Sequence, residues 1–400
     1  MGFVLKQIVK YSENRVSFYD TPKRIIEESE QDLMNEYEDH VSGALGSKER
    51  RYAESNPNTK KEYPYHIISD ELITKRLGKS PIKYFLDGSR HVYKVGDILI
   101  NGVVYPVVVG QIVIACCKRE NRKMRYYDMK HPVAPQFVMS LPDTFCYDRH
   151  LGKNFFTKKC EEVNKELRGR HEGKDGFLLQ FSDFIPYDTS GDKEQGRNKY
   201  LSRAIAKVQN HMTDCEREKV KDLCMSHVLN EDDSWLIKDG SLEYKRDMTN
   251  RTDDSLNKAL YDNNMRSVLG VSKGFNAELL IDIEPKIGKI IAELPVHGRT
   301  NAYFYTHESH KYCVWYLRLR DTVNRTHQMS DIIKVEFILM GNEIPSSTKI
   351  NVISAHLINE SYPVCFGHDA RWANHIYPVY ITEQFAKSKY INDSLIINQI

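Results

Sequence analysis

Two aspartates occur in the same local pattern, an apolar segment followed by Asp-Gly-Ser. Asp87 follows the apolar run in YFLDGSR, and Asp239 follows the run in WLIKDGSL. A single Asp-Gly is typical of a turn, and either aspartate alone would be interpreted in that way. Two copies in one chain favour another interpretation, in which carboxylates at the ends of neighbouring strands bind Mg²⁺ or Mn²⁺. The glycine in each copy would let a ligand or another backbone approach closely.

The segment 197–229 has the periodicity of a long helix and could supply a third carboxylate. Glu216 lies four residues after Met212 and four before Val220, which places it on the apolar face. Glu218 lies on the charged face of the same helix. A carboxylate directed into a core needs a positive partner, either a metal or the side chain of Arg or Lys. We therefore predict Glu216 as a third metal ligand, with Glu218 in reserve and a buried ion pair as the alternative.

These segments, in this order, resemble the NurA nuclease family, which has an RNase H-like fold distantly akin to the Piwi domain. The resemblance covers about residues 80–400 and rests on the two DGS segments, the helical glutamate, the segment VLGVSK and a C-terminal Tyr-Pro followed by an alanine-bearing helix. It implies a metal-dependent DNA nuclease in which Asp87, Glu216 and Asp239 bind metal. Lys273 of VLGVSK would be a positive charge for a phosphate, with a plain surface lysine as the alternative. Arg90 of YFLDGSR would likewise be a positive charge for a phosphate, with a plain surface arginine as the alternative.

The C-terminal motif departs from the family pattern, in which Ala-His follows the Tyr-Pro. Here Thr382-Glu383 occupies the Ala-His position after Tyr377-Pro378, two residues early. We therefore predict Glu383 as the fourth metal ligand, and a glutamate that only caps a helix start is the alternative. Rival ligands lie in GHDARWANH, namely His368, Asp369 and His375. The side chains predicted to contact nucleic acid are Arg90, Lys273, Tyr377 and His375.

The predicted chemistry is hydrolysis of a phosphodiester by two Mn²⁺ or Mg²⁺ ions about 3.5–4 Å apart, with no side-chain nucleophile. The sequence has neither a G-x-S-x-G elbow nor a Walker A segment, so a serine hydrolase and a P-loop ATPase are disfavoured. The resemblance implies a dimer acting on DNA with a hexameric HerA-type ATPase, in DNA end processing or antiphage defence. The alternative is a non-catalytic DNA-binding or scaffold subunit of such a complex with a degenerate site.

The elements that would position these residues form a mixed pattern of strands and helices. Residues from 82 onward predict a strand meander with a type I′ turn at Asn101-Gly102. Further predicted strands cover 235–242, 268–273, 302–307, 311–320, 332–340 and 349–358, and further helices cover about 254–267 and the chain from about Thr382. We predict an α/β fold, an RNase H-like mixed sheet flanked by helices.

The expected organisation is an N-terminal helical extension over 1–80 and a nuclease domain over 81–400 with an insertion at about 118–195. Within the extension, residues 22–56 predict an amphipathic helix or helical hairpin that either packs on the body or docks a partner.

Composition limits the remaining possibilities. The 400 residues carry 57 Lys and Arg against 55 Asp and Glu, so the net charge of +2 does not suggest a nucleic-acid coat. Three basic segments, 118–130, 158–174 and 315–325, could be local nucleic-acid surfaces or simply solvated charge. The eight cysteines form no CxxC pair, and no signal peptide or membrane-spanning stretch is evident. We therefore expect a cytoplasmic protein with no membrane partner.

Overall fold

The computed structural model describes most of the chain. The described residues are 3–10, 16–19, 23–26, 51–60, 64–127, 133–146, 152–171, 176–190, 199–226, 228–231, 234–243, 265–307, 310–321, 328–341, 343–365 and 372–400.

Strands of very different lengths make up the described sheet. They are β1 (Val16–Tyr19), β2 (Arg24–Ile26), β3 (Tyr65–Ile67), β4 (Ile82–Ile100), β5 (Val103–Glu120), β6 (Lys123–Tyr126), β7 (Gln136–Pro142), β8 (Phe181–Tyr187), β9 (Trp235–Asp239), β10 (Val268–Ser272), β11 (Gly298–Thr300), β12 (Tyr303–His307), β13 (His310–Arg318) and β14 (Ile332–Ile338). Their order across the sheet is β3-β11-β13-β14-β10-β9-β4-β5-β7-β8, with β1 and β2 on β4, β6 on β5 and β12 on β13.

The helices lie between and after these strands. They are α1 (Phe3–Lys10), α2 (Asp70–Arg76), α3 (Gly152–His171), α4 (Lys199–Met225), α5 (Val228–Glu231), α6 (Ile287–Ala292), α7 (Ser347–Glu360), α8 (Tyr377–Lys387) and α9 (Asp393–Gln399). The predicted α/β class, a mixed sheet flanked by helices, is confirmed. No described helix is both long enough and apolar enough to cross a membrane.

The centre of the sheet is a long hairpin followed by a crossover. β4 and β5 pair antiparallel, and the Asn101-Gly102 turn that joins them has positive φ at both residues, as a type I′ turn requires. β7 continues the antiparallel meander on β5. After α4 the chain returns in β9, which pairs parallel with β4, and β10 pairs parallel with β9. This crossover brings the two Asp-Gly-Ser segments side by side.

Helices cover both faces of this centre. Because side chains alternate along a strand, neighbouring residues of β4 and β5 face opposite sides. On one side α4 packs over β5 at Gly110, where a Cβ atom would collide with Val208. On the other side α8 packs on β5 through Ala386 and Ala115. Small residues at both contacts let the two helices approach the sheet closely.

One predicted strand is a helix. The segment 349–358 was predicted as a strand, but it lies in α7, which begins after Ser346, whose hydroxyl accepts a hydrogen bond from the backbone N–H of Lys349. The buried residues Ile350, Ile353 and Leu357 recur at helical spacing, and this period outweighs the β propensity of its isoleucines. The last predicted helix also begins earlier than expected, at Tyr377 instead of Thr382.

The N-terminal region is described in part. Its first helix, α1, packs into the main core through Val4, Leu5 and Ile8. The helix predicted over 22–56 is wrong at Arg24–Ile26, which form β2 on β4 because Ile26 is fully buried there. Residues 27–50 lie outside the described residues, as do 254–264 of the helix predicted near 254–267. Residues 118–195, predicted as an insertion, supply β6, β7 and β8 to the same sheet.

Candidate functional site

Asp87 and Asp239 lie next to each other on adjacent parallel strands. The register pairs Leu86 with Lys238, so the two aspartates that follow them are neighbours on one face of the sheet. Asp239 ends β9, as the sequence predicted, and Gly240 follows with positive φ. The prediction of a strand end at Asp87 is wrong. β4 continues to Ile100, because its partner β5 pairs with it along almost its whole length.

Asp87 is a buried carboxylate without enough partners. Its residue is 4% exposed, and no described residue forms a hydrogen bond with its Oδ2 atom. Burial and the neighbouring charge of Asp239 raise the pKa of Asp87 well above its usual range, and the Lys273 ammonium offsets only part of this effect. A buried acceptor of this kind is ready for a proton or a cation.

Lys273 joins the other carboxylates on this face. It directly follows β10, and its Nζ atom lies 3.0 Å from Asp239 Oδ2 and 3.3 Å from Glu383 Oε2. Burial works against its charge, but Asp239, Glu383 and Asp87 outweigh that effect and raise the pKa of Lys273. We call Asp87, Asp239, Lys273 and Glu383 the carboxylate cluster.

Glu383 reaches the cluster from α8, well inside the helix. The alternative of a glutamate that caps a helix start is therefore wrong, since the helix begins six residues earlier. Lys387 lies one turn further on, with its Nζ atom 3.1 Å from Glu383 Oε1. Burial favours the neutral acid, but Lys273 and Lys387 lower the pKa of Glu383 below its usual value. Glu383 is therefore ionised at neutral pH.

Glu216 lies on the opposite face of the sheet. As predicted, it is on the buried face of α4, and its carboxylate packs against Gly88, where a Cβ atom would be only 2.5 Å from Glu216 Oε1. Gly88 and Asp87 are consecutive in β4, so Glu216 and the Asp87 side chain lie on different faces. Glu216 Oε2 is 2.9 Å from the Nζ atom of Lys238. The alternative of a buried ion pair is what the structure contains.

The reserve and rival ligands have different positions. Glu218 is largely exposed and lies near Arg217 and Lys221, as its charged helix face predicted. His375 is buried just before α8, close enough to Glu383 to act on its pKa. His368 and Asp369 lie outside the described residues.

The predicted nucleic-acid contacts are also separated. Lys273 is in the carboxylate cluster, and Tyr377 begins α8 with a half-buried side chain. Arg90 donates a hydrogen bond to Gln209 of α4, so it lies on the face that Glu216 occupies. The basic segment predicted at 315–325 is no surface in its described part, because Arg318 and Arg320 are buried.

Two lysines of the site were not predicted. Lys238 precedes Asp239 inside an apolar strand, and Lys387 lies four residues after Glu383. Both could have been found from the sequence, since a lysine within a buried strand or one helical turn from an acid indicates an ion pair.

The comparisons with known proteins do not assign the chain to a family. No protein-family model matches it, and neither does any curated protein. Within the described part of the chain, no group of three or more His, Cys, Asp or Glu side chains is arranged to hold a metal ion. The described carboxylates of the candidate site lie beside lysine side chains instead.

Proposed function

We propose that the chain is a divalent-metal-dependent deoxyribonuclease, with Asp87, Asp239 and Glu383 as its metal-binding carboxylates. The observation that carries the proposal is the buried Asp87 carboxylate, one of whose oxygens has no hydrogen-bond partner among the described residues, beside Asp239 in the adjacent strand. Oxygen donors with spare negative charge suit Mg²⁺ or Mn²⁺. These three residues would hold the metal, with two ions in the predicted chemistry, and Glu216 would support the site from the opposite face.

The topology supports an RNase H-like core for this nuclease. Three antiparallel strands, β4, β5 and β7, are followed by α3 and β8, then by the crossover helix α4 and the parallel strands β9 and β10. One candidate ligand lies within the first strand and the next ends the strand beside it. The adjacent positions of these two aspartates agree with the resemblance to NurA nucleases, whereas the position of Glu216 on the opposite face does not.

Each residue has a distinct part in the proposed reaction. A bound divalent metal supplies an activated water and stabilises the charge of the leaving oxygen. Asp87 and Asp239 would hold the metal in a fixed position because they lie on neighbouring strands of the sheet. Lys273 places a buried ammonium among the carboxylates, where it can bind a phosphate oxygen of the substrate. Glu383, which forms an ion pair with Lys387, would be the third carboxylate that binds the metal.

A second function is favoured by a specific observation. Lys273 lies 3.0 Å from Asp239 and 3.3 Å from Glu383, so two of the three proposed ligands already have a cationic partner. Such a site suits a non-catalytic DNA-binding or scaffold subunit in which lysine has taken the place of the metal.

A nuclease assay separates the two functions. Linear and single-stranded DNA are incubated with the protein in Mn²⁺, Mg²⁺ or EDTA, and the wild type is compared with Asp87→Asn and Asp239→Asn. Glu218→Gln is the matched control, since it removes an exposed acid of α4 away from the cluster. We expect metal-dependent cleavage that both aspartate variants lose and the control keeps. Cleavage that persists in both variants would contradict the assigned site, and no cleavage with any metal would favour the scaffold.

We also propose that the protein is a homodimer that acts with a HerA-type hexameric ATPase in DNA end processing or antiphage defence. The family resemblance is the support for this part of the proposal. Co-purification of the full chain with such an ATPase tests it. Deleting the N-terminal region would be a poor test, because α1 and β2 belong to the folded body.

A further inference from the structure

Two buried arginines lie two residues apart but differ in how their donors are used. Arg318 ends β13, and every nitrogen of its guanidinium donates to a backbone carbonyl. Nε bonds to Leu294, Nη1 to Ser330, and Nη2 to both Ala292 and Gln328. All the donors of Arg318 are therefore used, and they connect the end of β13 to the backbone at residues 292–294 and 328–330.

Arg320 is almost as buried, at 5% exposed, but only part of its guanidinium is bonded. Nη2 donates to the carbonyl of Ser361 at 2.6 Å and to that of His375 at 3.4 Å. No described residue accepts a hydrogen bond from Nε or Nη1. Burial lowers the pKa of Arg320, which indicates that its positive charge is poorly compensated. Unpaired buried donors are costly, and those of a charged group more so.

The guanidinium lies beside the carboxylate cluster. Its Nη2 atom donates a hydrogen bond to the backbone carbonyl of His375. The preceding residue, Asn374, donates a hydrogen bond to the backbone carbonyl of Lys273. Two consecutive residues therefore connect Arg320 to Lys273 of the cluster.

An exposed aromatic ring covers the guanidinium. The ring centroid of Tyr362 is 5.3 Å from the Cζ atom of Arg320, and Tyr362 is 53% exposed. Tyr362 belongs to the first of the two Tyr-Pro pairs in the C-terminal region. Arginine donors suit phosphate, and an exposed aromatic face suits a stacked base, so the two side chains together fit a nucleotide.

We propose that Arg320 binds a phosphate group of a polynucleotide with its unused N–H groups, beside the carboxylate cluster, while Tyr362 stacks on the adjacent base. The polynucleotide as the source of the phosphate rests on the proposed function, whereas the anion site itself rests on the unused donors. Tyr362 forms the outer side of the site because its ring lies at the surface.

The test measures binding in EDTA, where metal-dependent cleavage does not occur. Wild type, Arg320→Met, Arg320→Lys and Arg318→Met are titrated with inorganic phosphate in thermal unfolding. The same proteins are titrated by fluorescence anisotropy with short single-stranded oligonucleotides that carry or lack a terminal 5′-phosphate. Arg318→Met is the matched control, since it removes an equally buried arginine whose donors are all used.

We expect Arg320→Met to bind the oligonucleotides about 10–100-fold more weakly and to lose the phosphate-induced rise in Tm, with Arg320→Lys in between. Arg318→Met should lower Tm but bind as the wild type does. A loss confined to the 5′-phosphorylated oligonucleotide identifies a terminal phosphate, and an equal loss for both identifies the backbone. Tyr362→Leu should weaken oligonucleotide binding and leave the response to inorganic phosphate unchanged.

Three results would overturn the inference. They are wild-type binding by Arg320→Met, an equal loss in Arg318→Met, and a response to inorganic phosphate with no oligonucleotide binding by the wild type. If the wild type never cleaves DNA but Arg320→Met loses oligonucleotide binding, the nuclease proposal fails and the Arg320 inference stands.

Discussion

The two faces of the sheet at the end of β9 hold buried charge in opposite ways. On the α4 face, Glu216 and Lys238 form one carboxylate–ammonium pair at 2.9 Å, with each side chain 5% exposed. Burial raises the pKa of Glu216 above its usual value, and the Lys238 ammonium and a hydrogen bond from the backbone of Gly88 offset part of this effect. This pair is balanced because it has one negative charge and one positive charge. It therefore has no excess charge for a ligand to neutralise.

The carboxylate cluster on the α8 face is not balanced. Asp239 and Glu383 form ion pairs with the buried Lys273, whose charge also acts on Asp87, and a second lysine, Lys387, forms an ion pair with Glu383. Asp87 is the least compensated carboxylate of the cluster, since its Oδ2 atom has no hydrogen-bond partner among the described residues. The α4 face therefore stabilises the fold, and the uneven charge of the α8 face supports the proposal that it binds a cation.

The largest effect should come from breaking the balanced pair. Lys238→Met leaves Glu216 buried without its cation and should lower the free energy of unfolding by about 3–5 kcal/mol, measured by urea unfolding. The double variant Glu216→Leu/Lys238→Met removes both charges and should recover most of that loss. A loss below about 1 kcal/mol, typical of an exposed pair, would contradict the assignment of this pair to the buried core.

Lys273→Met tests the unbalanced face in the same way. Without metal it should also be destabilised, because three carboxylates lose their shared ammonium. Mn²⁺ should then replace the lysine and restore about 2.7 kcal/mol at a hundred times its Kd, a larger response than that of the wild type. Thermal unfolding with and without Mn²⁺ measures this, and Lys238→Met is the control that Mn²⁺ should not rescue. An equal response in both lysine variants would remove the distinction between the faces.

The sequence predicted the residues of this site better than their arrangement. The strand-to-Asp pattern located Asp87 and Asp239, and helical periodicity placed Glu216 inside, because these signals depend on local spacing. Which face each side chain occupies depends on the register between β4 and β9, which local spacing does not encode. For this reason Glu216 was grouped with the aspartates although it lies across the sheet from Asp87.

The errors in the predicted elements also have a local cause. An Asp-Gly-Ser segment was taken to end a strand, but pairing with β5 carries β4 through it at Asp87. The segment 349–358 is rich in β-branched residues, yet the cap at Ser346 and the burial of one helical stripe make it α7. Tertiary pairing and burial outweighed residue propensity in both places. The unused donors of Arg320 have no sequence signal of their own.

Gly88→Ala tests how closely the balanced pair is fitted to the sheet. A Cβ atom at this position would be 2.5 Å from Glu216 Oε1, so Glu216 must move and its pairing with Lys238 weakens. We expect a loss of about 1–3 kcal/mol in urea unfolding. The control is Gly88→Ala in a Glu216→Ala background, where the collision is absent and the added methyl should cost much less. The same loss in both backgrounds would mean that the strand, not the carboxylate, requires glycine here.

Asp87→Asn should have the smallest effect and the opposite sign. It replaces a buried carboxyl group, whose ionisation favours the unfolded chain, with a neutral amide and should stabilise the metal-free protein by about 1 kcal/mol at neutral pH, the low end of the range because the new amide also lacks partners.

The pH dependence of that gain is the sharper measurement. The pKa of Asp87 is raised by burial and by Asp239, so the unfolded chain releases this proton from about pH 4 upward while the folded protein retains it. Wild-type stability therefore falls as pH rises through this window, and the advantage of Asp87→Asn grows. Urea unfolding from about pH 4 to about pH 7 follows it, with Glu218→Gln as the exposed-acid control. A constant difference would mean that Asp87 ionises as readily in the fold as in the unfolded chain, and the carboxylate cluster would then be as well balanced as the pair across the sheet.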